Sequence, residues 1–378
     1  MKSRTSKKKI MLVFGTRPEA IKMCPLVNEL KSRHDAFEVV VCVTGQHREM
    51  LDQVLRVFGV SPDYDLSIMK PSQTLFDITC DILTRLRTVL EAEQPDCVLV
   101  HGDTSTSFAA ALACFYLHIP VGHVEAGLRT YDLDSPWPEE FNRQAVDIVS
   151  EYYFAPTLLS KRNLENEQKK VSNVYVTGNT GIDALATTVK QDYENEYLEW
   201  AQDSHLILIT AHRRENLGAP MHDMFRAIRR VMEEHPHTKA LYPIHMNPAV
   251  REAAHSVLDG FDRLRIIEPL GVLDFHNFLA RSYLILTDSG GIQEEASGLG
   301  KPVLVMRDTT ERSEGLAAGT LRLVGTSENK IYDAFTELLD NTQSYNAMSK
   351  ASNPYGDGRA CRRIADILEG KEIQEWIV

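Results

Sequence analysis

Residues 97–117 read CVLVHGDTSTSFAAALACFYL, and the reading of this stretch decides the fold class. Cys97 to Val100 is continuously apolar rather than alternating, which describes a strand buried on both faces. His101-Gly102-Asp103-Thr104-Ser105 breaks the run, and the apolar segment from Phe108 to Leu117 has the length of a buried helix. The next apolar strand, Val121 to Val124, follows at once. Strand, polar turn, helix and strand make a β-α-β unit, whose two strands must run parallel.

The same rhythm continues outward in both directions. Ile10 to Phe14, Val39 to Val43 and Val174 to Thr177 complete a first series. Leu206 to Thr210, Ala240 to Ile244, Leu264 to Ile267, Tyr283 to Thr287 and Pro302 to Met306 form a second. The expected fold is therefore α/β, with two doubly wound, Rossmann-like parallel-sheet domains facing an interdomain cleft. A chain of 378 residues exceeds what one core usually serves, which fits two domains. Gly178-Asn179-Thr180-Gly181 ends the first series, so an N-terminal domain is expected over 1–180 and a C-terminal domain over 181–360.

Composition narrows the partners. A formal net charge of −12 opposes a nucleic-acid groove or an anionic membrane surface, whereas a local cluster of cations and amides still suffices for a diphosphate. The longest apolar stretch, Phe108 to Leu117, is shorter than the roughly 20 residues that span a bilayer. The basic first nine residues precede an apolar run, Ile10 to Phe14, too short for a secretory signal of about 7 to 15 apolar residues. A cytoplasmic enzyme is expected. Cys24, Cys42, Cys80, Cys97, Cys114 and Cys361 show no paired spacing and read as reduced thiols. His101, His118 and His123 lack a metal-ligand pattern, so no metal is expected.

Charged and glycine-bearing motifs follow the strands. Gly15-Thr16-Arg17-Pro18-Glu19 ends the first strand and leads into a helix over Ala20 to Lys31, with Arg17 and Lys22 able to hold phosphate oxygens. Asp103 opens the helix after its strand and has capping as its plain explanation. His123-Val-Glu-Ala-Gly-Leu-Arg129 sets Glu125, a second carboxylate, at the next strand end. Ser135-Pro136-Trp137-Pro138-Glu139-Glu140 brings two more acids at a helix start, where one of them complements the helix dipole. The residues themselves leave the choice between Glu139 and Glu140 open. In the second series His212-Arg213-Arg214-Glu215 follows one strand. Asp288-Ser289-Gly290-Gly291 joins another to a helix expected near Ile292, with Glu294 and Glu295 in its first turn. Successive glycine amides at a helix start form an anion site, which Arg307 and Arg312 would complete.

These runs, together with Val43-Thr-Gly-Gln-His-Arg-Glu-Met50, resemble the non-hydrolysing UDP-N-acetylglucosamine 2-epimerases, nearly end to end. The resemblance implies a glycosyltransferase-B architecture, with the C-terminal helix, 361–378, packing back on the first domain. It implies catalytic roles for Asp103, Glu125, Glu139 and His212, and so prefers Glu139 to Glu140. Arg17, Lys22, Ser289, Gly290, Gly291, Glu295 and Arg312 match positions that hold UDP, with Phe275 and Leu270 near the uracil. Gln46, His47 and Arg48 match a second, activating site for UDP-N-acetylglucosamine. A homodimer serving bacterial surface polysaccharide synthesis is implied as well.

The chemistry has its own demands. Carbon 2 of the sugar has no neighbouring carbonyl to acidify its proton. Redox activation by NAD would need a dinucleotide cradle, and no G-x-G-x-x-G follows any strand, so no cofactor is expected. Loss of UDP from carbon 1 acidifies the proton instead, leaving a 2-acetamidoglucal to which UDP re-adds after reprotonation. That route asks for a diphosphate clamp and for acid-base groups reaching both ring faces. The rival readings are a hydrolysing epimerase that releases N-acetylmannosamine, a C2-epimerase of a related UDP-diacetamido sugar, a glycosyltransferase of the same fold and a noncatalytic UDP-sugar sensor.

Overall fold

The apolar runs become the central strands of two parallel sheets, and Ile10 to Phe14 lose all solvent exposure. In the computed structural model, which describes residues 7–45 and 48–377, the chain divides into two units. One holds the residues up to Thr187 together with Gly356–Ile377, and the other Thr188–Tyr355.

The first unit runs β1 (Lys8–Phe14), α1 (Arg17–Ser32), β2 (Phe37–Val43), α2 (Arg48–Phe58), β3 (Tyr64–Asp65), α3 (Leu75–Glu93), β4 (Cys97–His101), α4 (Ser105–Tyr116) and β5 (Val121–Val124). It continues through α5 (Glu139–Val149), β6 (Tyr152–Ala155), α6 (Leu158–Asn166), β7 (Val174–Val176) and α7 (Thr180–Thr188). The second runs α8 (Glu196–Ala201), β8 (His205–Thr210), α9 (Ala219–Glu234), β9 (Thr238–Pro243), α10 (Pro248–Leu258), β10 (Leu264–Ile267) and α11 (Val272–Arg281). It continues through β11 (Leu284–Thr287), α12 (Gly290–Gly298), β12 (Val303–Val305), α13 (Ser313–Ala318), β13 (Leu321–Leu323), α14 (Glu328–Asp340) and α15 (Thr342–Ser349). The chain then returns to the first unit as α16 (Ala360–Leu368).

Among the described residues the first sheet has the strand order β3-β2-β1-β4-β5-β6-β7, and the second β10-β9-β8-β11-β12-β13. Every pairing is parallel. In each sheet the order reverses once, between β1 and β4 and between β8 and β11. Loops leaving the carboxyl ends of such a pair diverge to opposite faces and open a crevice. Those four loops carry the motifs Gly15–Glu19, His101–Ser105, His212–Glu215 and Asp288–Gly291.

The returning segment is held by charge. Arg33 at the end of α1 reaches Asp366 and Glu369, each at 2.6 Å. Asp183 on α7 accepts from the amides of Ala360 and Cys361 at the start of α16. No described helix is long and apolar enough to cross a membrane.

Candidate active site

The two crevice loops of the first unit are bolted together by a carboxylate. Thr16 caps α1 in a reciprocal capping box with Glu19. One Glu19 oxygen accepts from the amides of Gly15 and Thr16, while the other accepts from the Thr104 hydroxyl at 2.7 Å. Gly15 is fixed by packing: a Cβ there would lie 1.8 Å from Thr44 Oγ1 and 2.7 Å from Thr106 Oγ1. The helix starts at Arg17, three residues before the expected Ala20, because the capping box admits Arg17 and Pro18 as its first turn.

Asp103 is not the cap of α4. Thr104 takes that place, accepting from the Ser107 amide, which frees the Asp103 carboxylate to pair with Arg143 of α5. Asn142 of the same helix holds the Asp103 carbonyl at 2.9 Å. Glu125 follows β5 with φ +69°, the left-handed region that a glutamate occupies only when its surroundings impose it. Its carboxylate pairs with Lys22, accepts from Asn179 at 2.8 Å, and lies 3.7 Å from the buried His101 ring. A Cβ on Gly102 would lie 3.6 Å from the other Glu125 oxygen. Asp103 and Glu125 thus stand at the carboxyl ends of neighbouring strands.

Glu139 and Glu140 separate cleanly. Glu140 is fully buried and accepts from the amides of Thr130 and Tyr131, from Gln144, and from Arg143. Burial alone would raise its carboxyl, yet these donors and the Arg143 charge hold it below the usual range. Glu139 opens α5, and its side chain makes no hydrogen bond or ion pair with any described residue, leaving its carboxylate available.

The His and Arg that flank Glu125 in sequence turn inward. His123 is fully buried, with Nδ1 2.6 Å from Asp147 and Nε2 2.8 Å from the Gly102 carbonyl. Arg129 joins Asp147 at 2.7 Å and Glu167 at 2.6 Å. Despite complete burial, His123 and Arg129 keep the Asp147 carboxyl below its ordinary value. These two residues therefore brace the Glu125 loop and do not face a ligand.

In the second unit, His212 follows β8 and stacks on His245, ring centroids 5.2 Å apart. Burial lowers the His212 pKa, His245 and Arg213 push the same way, and Asp288 opposes them. Helix α12 begins at Gly290, not near Ile292, because both glycines take helical geometry. Glu294 and Glu295 accordingly lie beyond the first turn. Glu294 is buried and paired with Arg312 at 2.5 Å, whereas Glu295 lies 3.5 Å from the His276 ring. Gly291 is open, and a Cβ on Gly290 would come 2.7 Å from Glu311 Oε1. Burial opposes the Glu311 charge, but Arg312, Arg307 and Arg213 outweigh it and draw the carboxyl down to about 2. Three guanidinium groups thus gather beside the α12 amides, with Arg307 also bonded to Glu215. Leu270 and Phe275, at the start of α11, pack half-buried against the core beneath.

Within the first unit the structure brings Lys22, Asp103 and Glu125 together around β1, β4 and β5, with Arg17 and Glu139 opening the adjacent helices. Within the second it gathers His212, Ser289, Gly290, Gly291 and Arg312, with Leu270, Phe275 and Glu295 along α11 and α12. Gln46 and His47 lie outside the described residues, and Arg48 opens α2. Asn179, Arg143, His245 and Asp288 were not singled out by sequence reasoning. Asn179, His245 and Asp288 carried one usable signal, a polar residue just past the end of a strand. No described group of three or more His, Cys, Asp or Glu is arranged to hold a metal.

Comparison with known proteins agrees over almost the whole chain. A sequence profile described as UDP-N-acetylglucosamine 2-epimerase matches residues 28–369. The UDP-N-acetylglucosamine 2-epimerase of Bacillus subtilis is 57% identical over 362 residues, 96% of this chain and 95% of that protein. The S. aureus MnaA–UDP structure is similar with a TM-score of 0.89 and 52% identity, covering 96% of each chain. The Neisseria meningitidis UDP-GlcNAc 2-epimerase bound to UDP-GlcNAc has a TM-score of 0.89 and 48% identity, covering 96% of this chain and all of that one.

Proposed function

This chain belongs to the UDP-N-acetylglucosamine 2-epimerase family and is an isomerase, and from that premise we propose that it inverts carbon 2 by elimination and re-addition of UDP. UDP-N-acetylglucosamine and UDP-N-acetylmannosamine are its substrates. The observation that carries the reading is Glu125, held in a left-handed backbone conformation beside Asp103 at adjoining strand ends.

A carboxylate takes the C2 proton as the C1–O bond breaks. The C–H pair becomes the C1=C2 bond, and the C1–O pair leaves with the β-phosphate. A carboxylic acid on the opposite face then protonates C2, and the retained UDP bonds again to C1. Asp103, Glu125 and Glu139 share these transfers. Arg17, Arg312 and the Ser289-Gly290-Gly291 amides stabilise departing UDP, aided by His212 and Lys22, while Glu295 meets the ribose and Leu270 and Phe275 border the uracil.

Substrate labelled with ¹⁸O in the C1–O–P bridge tests the step directly. C1–O cleavage lets the label scramble into the non-bridging β-phosphate positions, which ³¹P NMR resolves. Epimerisation with the label wholly retained in the bridge would sink the scheme.

The same proposal includes a cytoplasmic homodimer feeding surface polysaccharide synthesis. Exposed Phe115 and Tyr116 on α4 and Phe141 and Ile148 on α5 support self-association of this face. Gln46, His47 and Arg48 would bind activating UDP-N-acetylglucosamine, and a hyperbolic rate curve for UDP-N-acetylmannosamine alone would argue against that role.

A further inference from the structure

Asp288, just past β11, is fully buried, and its two oxygens are used very unequally. Oδ2 accepts from the amides of His212 and Arg213, both at 2.9 Å, and from Asn216 Nδ2 at 3.2 Å. Oδ1 has no hydrogen-bond partner among the described residues and lies 3.4 Å from His212 Nδ1. A buried carboxylate oxygen without a donor is costly, and a small rotation of the imidazole would supply one. The ring is also held by its stack on His245, and Asp288, His245 and Arg213 are the charged or titratable groups that act on it.

We propose that Asp288 is a positioning residue for His212: it accepts the Nδ1 proton, fixes the tautomer and orientation of the ring, and leaves Nε2 to exchange a proton with the diphosphate. This rests on the assignment of His212 to the epimerase site. As the C1–O bond breaks, its electron pair stays on the β-phosphate oxygen, and the imidazolium gives its Nε2 proton to that oxygen. On re-addition the oxygen bonds to C1 and the proton returns to Nε2. The Asp288 carboxylate keeps its hydrogen bond to Nδ1–H throughout, both in the imidazolium before cleavage and in the neutral imidazole that follows it.

Asp288→Asn separates this role from a purely structural one. The carboxamide oxygen still accepts from the two loop amides, but its NH₂ faces Nδ1 and forces the opposite tautomer. Long-range ¹H–¹⁵N spectra of the full-length protein, with His212 assigned through His212→Asn, should show Nδ1–H in the wild type and Nε2–H in Asp288→Asn. Turnover of UDP-N-acetylglucosamine by Asp288→Asn should fall about 10²- to 10⁴-fold with KM within about threefold, and the double variant should lose no more than His212→Asn alone. A wild-type His212 protonated at Nε2 alone, or Asp288→Asn turnover within about threefold of wild type while His212→Asn is impaired, overturns the proposal. If His212→Asn itself turns over normally, the site assignment fails, and the tautomer measured in the wild type still decides whether Asp288 sets the ring.

Discussion

Adjacent glutamates at the start of α5 should give opposite phenotypes when each is replaced by glutamine. Glu140 takes four donors on its two oxygens: Tyr131 N and Gln144 on one, Thr130 N and Arg143 on the other. A glutamine keeps a single acceptor oxygen. Gln144 can reverse its amide to meet the new NH₂, but one buried backbone N–H then loses its acceptor, at about 1–3 kcal/mol. Arg143 also loses one of its two carboxylates, a charge-assisted bond of about 1.5–3 kcal/mol. Together these place the destabilisation of Glu140→Gln at about 2.5–6 kcal/mol, which for a unit of this size lowers Tm by roughly 5–24 °C. Glu139→Gln breaks no such bond and should leave Tm within about 1 °C, while turnover falls about 10²- to 10⁴-fold. Differential scanning calorimetry and a coupled UDP-N-acetylmannosamine assay on both variants make the comparison. An unchanged Tm for Glu140→Gln, or near-normal turnover for Glu139→Gln, would refute the division of labour between them.

Gly15→Ala should destabilise the first unit by about 1–3 kcal/mol, because a Cβ 1.8 Å from Thr44 Oγ1 forces the β1 and β2 ends apart; a urea midpoint equal to wild type would show that the loop absorbs it. Asp183 supplies a pH test. Its carboxyl is raised from 3.8 to about 6, chiefly by burial and against the amides of Cys361 and Ala360, so folding favours its protonated form. The stability it contributes is present below about pH 4 and lost as pH rises through about 6, by up to about 3 kcal/mol relative to Asp183→Asn. Urea titrations of both proteins from pH 4 to 8 measure the difference, and a gap that moved in favour of the wild type with rising pH would have the wrong sign. Asn179→Ala should cut turnover about tenfold or more through Glu125, whose carboxylate loses a donor, and should cost about 0.5–2 kcal/mol of stability because Asn179 Oδ1 also caps the Gly181 amide at the start of α7; unimpaired catalysis would remove Asn179 from the site.

Continuous apolar strands made the parallel sheets legible before any coordinates. Val98 to Val100 and Ile207 to Ile209 could only be buried on both faces, and they are fully buried. Strands β3, β6 and β13 escaped notice because their sequences, Tyr64-Asp65, Tyr152-Tyr-Phe-Ala155 and Leu321-Arg-Leu323, carry aromatic or charged residues in place of a continuous Val, Ile and Leu run. The strand-end positions of Asp103, Glu125, His212 and Gly290 were legible for the same reason the strands were: polar residues interrupt apolar runs at fixed points. Partners were not. That His123 and Arg129 turn into a buried pair with Asp147, 24 and 18 residues away, depends on helix α5 packing under the loop. Likewise Glu19 reads as a helix-start acid, and its grip on Thr104, 85 residues on, emerges only once β1 and β4 lie side by side. Glycines at the start of α12 misled in the other direction, since a residue able to take any backbone angle does not announce a helix.

The central claim is that C2 is deprotonated and reprotonated by carboxylates while UDP stays bound. Proton NMR of the protein with UDP-N-acetylglucosamine in D₂O, with no added cofactor, tests it most directly. UDP-N-acetylmannosamine carrying deuterium at C2 is the predicted product, and Glu125→Gln should slow its formation about 10²- to 10⁴-fold. Product that forms with its original C2 proton retained would mean that hydrogen never exchanged with solvent through these carboxylates, and would contradict the account.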